Sequence, residues 1–172
     1  MAFIFLSRPK PQNVSAVLNI GDDAPELSNI ELSSNAILVV FLRHVGCPFA
    51  ENMIKQVCSW SAVNLDTEIV VVSHGDELST HSWLASIGGL GSSKLIIDVK
   101  REIYGNWGIG YSGLMHFLGR KSLFAVFKLI FKGIKNRSAS GTRFQKSAIF
   151  LIKNNKIAWS HVNDSAEQIY LP

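Results

Sequence analysis

Cysteine is scarce in this chain. Cys47 and Cys58 are the only two in 172 residues. Two thiols cannot build a disulfide framework. No Cys and His residues fall at zinc-ligand spacing, so a structural zinc site is not expected either. Charge is modest as well, at 17% Asp, Glu, Lys and Arg against 47% hydrophobic residues, a balance that excludes a disordered chain. Long apolar runs are missing. Ala36–Leu42 stops well short of the roughly 18–20 residues that span a bilayer. The opening Met1–Leu6 is apolar but brief, has no basic residue before it, and runs straight into Arg8-Pro9-Lys10-Pro11. It is not read as a signal peptide, and the cytoplasm is the expected compartment.

Acidic residues are absent from one whole stretch. Residues 103–163 hold ten Lys and Arg and no Asp or Glu, whereas residues 1–102 hold seven basic and eleven acidic side chains. Residues 1–18 mix Pro, Asn and Ser with apolar residues and read as an N-terminal extension. Residues 19–172 are long enough for one domain with a proper core.

Within that domain the apolar pattern alternates between two element types. Ala36–Leu42 is a continuous apolar run that fits a strand buried on both faces. After the loop Arg43–Gly46, Pro48 supplies the fixed φ favoured at a first helical position. A helix is expected over 48–63, with Met53, Ile54, Val57 and Trp60 or Ser61 facing inward. Glu68–Ser73 reads as a second strand, 77–87 as a helix stopped by Gly88-Gly89, and Lys94–Asp98 as a third strand. This alternation implies right-handed crossovers and parallel pairing. Ala148–Ile152 and Lys156–His161, joined by Lys153-Asn154-Asn155, read as a closing hairpin, because Asn tolerates positive φ. The fold class is therefore α/β, with a mixed sheet covered by helices.

The residue most suited to chemistry is Cys47. A free thiol has a pKa of roughly 8.5 and reacts as the thiolate. A helix N-terminus favours an anion through its unsatisfied N–H groups and its dipole. Arg43 can favour the thiolate further and hold a polar oxygen of a substrate. His44 can act as a base or polarise a substrate beside Cys47. The competing reading makes Cys47 a small buried apolar residue and His44 a solvated loop residue. Cys58 follows eleven residues later on the same helix, about 16 Å along the axis, far beyond disulfide reach. It is read as core. His74 is expected near the same end of the sheet, and Tyr104 and Trp107 are read as core packing, with walls of the Cys47 pocket as the alternative. The glycines of Gly105–Gly110 follow no strand in the way a nucleotide loop requires, so no cofactor is expected.

Three segments together resemble the peroxiredoxin-like branch of the thioredoxin superfamily. They are Gly21-Asp22-Asp23-Ala24-Pro25, the run Val40–Phe49 with Gly46-Cys47-Pro48, and Tyr104–Gly110 followed later by Gly141-Thr142-Arg143-Phe144-Gln145 and Trp159-Ser160-His161-Val162. The central run is most similar to the alkyl hydroperoxide reductase and thiol-specific antioxidant group. The resemblance implies a thioredoxin-like fold and peroxide reduction through Cys47, with Arg43 and His44 beside it and an external thiol as reductant. Ala50 stands where relatives often carry a second cysteine. His44 and Val40 stand where typical peroxiredoxins have Thr and Pro. Two other functions fit the same fold: a redox-inactive binding or accessory protein, and a small-molecule biosynthetic enzyme using the same pocket.

A basic helical insert is expected over about 112–137, before the final hairpin. Lys121, Lys128, Lys132 and Lys135 share one face, and Leu123, Phe124, Val126, Phe127, Leu129, Ile130, Phe131 and Ile134 cover most of the rest. Such a helix either packs on the domain with its lysine stems over apolar surface or makes weak contact with an anionic membrane surface. Its apolar content suggests a hydrophobic small-molecule substrate. Nucleic acid is not expected as a partner, since few aromatic residues interleave with the basic ones outside this stretch.

Overall fold

The computed structural model describes residues 12–27, 30–113, 129, 131, 133–134, 137–138, 140–163 and 169–172. Five strands form one sheet in the order β3-β2-β1-β4-β5. They are β1 (Ala36–Phe41), β2 (Thr67–Ser73), β3 (Lys94–Ile97), β4 (Ala148–Lys153) and β5 (Lys156–Val162). The first three are parallel, with Val40 opposite Val71 and Val71 opposite Leu95. β4 runs antiparallel to β1 and to β5, which makes the sheet mixed, as the sequence pattern implies. Three helices complete the described elements: α1 (Pro48–Ser61), α2 (Glu77–Ile87) and α3 (Glu102–Asn106).

β1 lies at the centre because both of its faces are apolar. Leu38, Val40 and Leu42 pack with Met53, Ile54 and Val57 of α1 and with Trp83 and Leu84 of α2. Ile37, Val39 and Phe41 turn to the other face, where Tyr104, Trp107, Ile109 and Phe150 meet them. Phe41 touches the Tyr104, Trp107 and Phe150 rings at centroid distances of 5.0, 5.3 and 5.9 Å, in edge-on or tilted contacts that add to the area buried. The closing hairpin turns on Asn154 and Asn155 at φ 51° and 61°, the two positive angles of a two-residue turn that follows the sheet twist.

α3 has no counterpart in the periodicity. It is five residues long, too short for an amphipathic repeat to show. Its first turn is held by Asp98, whose carboxylate accepts from the N–H groups of Glu102 and Tyr104. Residues of the N-terminal extension lie against α3. The Ser15 N–H donates to the Gly105 carbonyl at 2.9 Å, and a Cβ at Gly105 or Gly108 would collide with the backbone of Asn13 or Ala16. Gly105 and Gly108 thus serve close backbone approach.

Most of the expected basic insert, including Lys121, Lys128, Lys132 and Lys135, lies outside the described residues. Of its described members, Leu129 and Ile134 join the core beside α1, while Phe131 is 90% exposed. No helix among the described residues is long and apolar enough to cross a membrane.

Candidate functional site

Cys47 is the N-cap of α1. Its backbone is extended, Pro48 opens the helix, and the Glu51 N–H donates to the Cys47 carbonyl at 3.0 Å. The chain reaches this point by leaving β1 through Arg43, His44, Val45 and Gly46. Gly46 adopts φ +82° beneath the Ser138 carbonyl, so a side chain there meets both a strained backbone and a steric block.

Arg43, His44 and Cys47 are all buried, at 4, 7 and 3% exposure. The trio lies inside the domain rather than on its surface, and both Arg43 and His44 act on the Cys47 thiol. Arg43 donates from Nη2 to the Arg143 carbonyl at 3.2 Å. His44 places Nδ1 2.9 Å from the Val45 carbonyl. With Nδ1 donating there, the other ring nitrogen is left for chemistry, since a carbonyl can only accept.

The Cys47 thiol balances opposed influences. Burial is the largest and pushes its pKa up. The charge and hydrogen bond of His44, the Arg43 guanidinium and the Ala50 N–H together outweigh burial, and bring the pKa down to about 6. Cys58 has none of this support, and partial burial raises its pKa. Contrary to the core reading, Cys58 is only partly buried on the flank of the apolar cluster. It follows buried Ile54 by one turn, at the edge of the Met53–Val57 stripe and near the end of α1.

Sequence reasoning missed a clasp around the loop. Residues 137, 138 and 140–143 lie across it: the Arg137 N–H donates to the Gly46 carbonyl at 3.1 Å, and Val45 bridges to Ser140. Arg137 also pairs with Glu51, a carboxylate only 3% exposed in the first turn of α1, whose other oxygen holds Lys55 at 2.8 Å. Two cations neutralise that carboxylate, so the turn that begins at the thiol does not repel a thiolate. Ser140 completes the clasp by donating to Asp76, the N-cap of α2, at 2.5 Å. That bond and the Ser79 N–H hold the Asp76 carboxyl down at about 2. The Arg137 and Ser140 contacts join positions more than sixty residues apart, and no local pattern announces them.

His74 stands at the same sheet end, as expected, donating from Nε2 to the Arg43 carbonyl. Tyr104 and Trp107 are fully buried and belong to the core on the opposite face of the sheet from Cys47, so they do not wall its surroundings.

The fold that carries this site is shared with known proteins. A thiol peroxidase from Chromobacterium violaceum superimposes with a TM-score of 0.62 at 14% identity, over 91% of this chain and 83% of that one. A peroxiredoxin-like protein from Aquifex aeolicus gives 0.61 at 15%, over 90% and 82%. AhpC from Mycobacterium bovis gives 0.52 at 16%, over 91% and 88%. At such identities these likenesses establish the fold, which is thioredoxin-like. No curated protein matches the chain significantly in sequence. The sequence profile of the AhpC/TSA antioxidant enzymes matches residues 59–165, more than half of the chain, in a stretch that begins after Cys47. On that match, carried by the same fold, the chain belongs to the AhpC/TSA antioxidant enzyme family.

Proposed function

We propose that the protein reduces a hydroperoxide through Cys47. The observation that carries this reading is a buried thiol at a helix N-terminus, with Arg43 and His44 against it lowering its pKa. The thiolate sulfur attacks the terminal oxygen of R–O–O–H. An S–O bond forms as the O–O bond breaks, and the sulfur is oxidised by two electrons to a sulfenic acid. The departing alkoxide takes its proton from His44 and leaves as the alcohol. Arg43 and the N–H groups of the first turn of α1 stabilise the charge that develops on the oxygens.

The return step needs an external thiol. Ala50 removes any sulfur one turn along α1. Cys58, eleven residues on, is about 16 Å away on an intact helix. One thiol displaces water from the sulfenic acid to give a mixed disulfide, and a second releases Cys47 as the free thiol. The surroundings of Cys47 favour an organic hydroperoxide with an apolar body. Cys47 shares one apolar cluster with Val45, Phe49, Leu129 and Ile134.

The test is multiple turnover. With dithiothreitol in excess, the wild-type protein should consume cumene hydroperoxide at a rate proportional to protein concentration. Cys58→Ser should retain that rate, and Cys47→Ser should fall to the background of dithiothreitol alone. A Cys47→Ser protein as active as wild type overturns the proposal.

A further inference from the structure

We propose that His74 is a positioning residue for Cys47: by donating from Nε2 to the Arg43 carbonyl, it fixes the turn on which Arg43 and His44 are carried toward the thiol. The inference rests on the reading of Cys47 as the working thiol, and it assigns a role to a residue that α1 and β2 separate from it in the sequence.

The starting point is the backbone where β1 ends. Its last registered pair is Phe41 with Val72, so the carbonyls that follow no longer have sheet partners. A buried carbonyl without a donor is costly, and each of these must be satisfied by something else. Tyr104 donates from its hydroxyl to the Leu42 carbonyl at 2.6 Å and lies 2.9 Å from the Val72 carbonyl. His74 takes the next one, Arg43. The two rings meet edge to face at a centroid distance of 5.5 Å and an interplanar angle of 82°, so each holds the other in place.

The environment of His74 leaves it no other task. It is 2% exposed. Because a carbonyl only accepts, the ring proton must lie on Nε2. Nδ1 then carries a lone pair and is buried without a hydrogen bond. An apolar side chain of similar volume would avoid that loss of stability. The histidine is therefore explained by its donor, not by packing. Gly141, at φ +84°, leaves the room the ring needs, since a Cβ there would overlap Nδ1. The same clasp residues that cover the Cys47 loop thus seat His74 as well. Burial first, and the charges of His44 and Arg101 with it, hold the His74 pKa down at about 4, so the ring stays neutral and its proton stays on the bond.

The consequence is directional. Losing the donor frees the Arg43 carbonyl to rotate toward water, and Arg43 and His44 turn with it. Burial of Cys47 would then lose its counterweights.

The experiment follows the ultraviolet absorbance of the thiolate against pH in the full chain, with Cys58→Ser as the background so that Cys47 alone reports. No peroxide is present, so the result is independent of turnover. His74→Phe keeps a ring without the donor and should shift the Cys47 midpoint upward, lowering the thiolate fraction at pH 7 by roughly tenfold or more. His74→Gln, whose amide reaches as far as Nε2, should restore the wild-type midpoint. His74→Asn keeps an amide too short to reach the carbonyl, and should behave like the Phe variant if that one fails to fold. An unmoved midpoint in His74→Phe or His74→Asn, even with a lower melting temperature, makes His74 structural only and overturns the proposal. A wild-type midpoint at the ordinary value of a free thiol overturns the reading of Cys47 beneath it.

Discussion

Replacing His44 by Phe should nearly silence Cys47 at neutral pH. The substitution keeps burial, the largest influence on the thiol, and removes the charge and hydrogen bond that most oppose it. Arg43 and one N–H are left to compensate alone. The pKa should climb from about 6 to the free-thiol value or above it. At pH 7 the thiolate fraction then falls from about nine-tenths to a few hundredths, and the rate of alkylation by iodoacetamide falls with it, by roughly 10- to 100-fold. Labelling followed by peptide mass analysis reads Cys47 and Cys58 in the same sample, and Cys58 serves as the internal reference. Equal Cys47 rates in wild type and His44→Phe contradict the assignment. The pH at which alkylation reaches half its plateau should move up in step with the rate.

A second large effect lies in stability against pH. The Cys47 pKa is about 6 in the folded chain against an ordinary 9.0. Between those values the unfolded chain binds a proton that the folded chain does not, so stability rises with pH. The contribution is complete above pH 9, shrinks as pH falls toward 6, and is gone below it. Over that window it amounts to about 4 kcal/mol for a group so deeply buried, taken as an order of magnitude. Cys47→Ser should flatten this part of the curve. His74 has the same sign over a more acid range. Its folded pKa of about 4, against 6.5, costs the fold nothing above pH 6.5 and destabilises it progressively as pH falls from 6.5 to 4. Chemical denaturation at a series of pH values separates the two, since Cys47→Ser removes only the upper slope. Parallel curves for wild type and Cys47→Ser between pH 6 and 9 contradict a thiolate in the folded chain.

Much of the fold is legible in local pattern. Ala36–Leu42 is apolar on both faces, which only the centre of a covered sheet can use, and β1 lies there. Pro48 and Gly88 mark a helix start and a helix stop through their own backbone limits: α1 begins at Pro48, and α2 ends at Ile87 with Gly88 as its cap. The asparagines of the hairpin do the same through positive φ. Cys47 is found by a similar argument, because helix-start chemistry is local.

What surrounds Cys47 is a different matter. Arg137 reaches Glu51 across 86 residues, and His74 reaches Arg43 across 31. Neither pair has a spacing that means anything in one dimension. A glutamate in the first turn of a helix reads as a solvated dipole partner, yet Glu51 is buried because two cations cover it. Cys58 misled in the opposite direction. Its residue type is among the most often buried, but its place on α1 lies at the edge of the Met53–Val57 stripe.

The most direct measurement of the central claim is the fate of Cys47 in a single encounter with peroxide. The reduced protein is mixed with one equivalent of hydroperoxide, trapped with dimedone, digested and analysed by mass spectrometry. The account predicts a dimedone adduct on Cys47, none on Cys58, and a free Cys47 again when dithiothreitol replaces dimedone. An unmodified Cys47 after the peroxide has been offered, or an adduct on Cys58 alone, would contradict it and leave the family's fold serving a binding or accessory role.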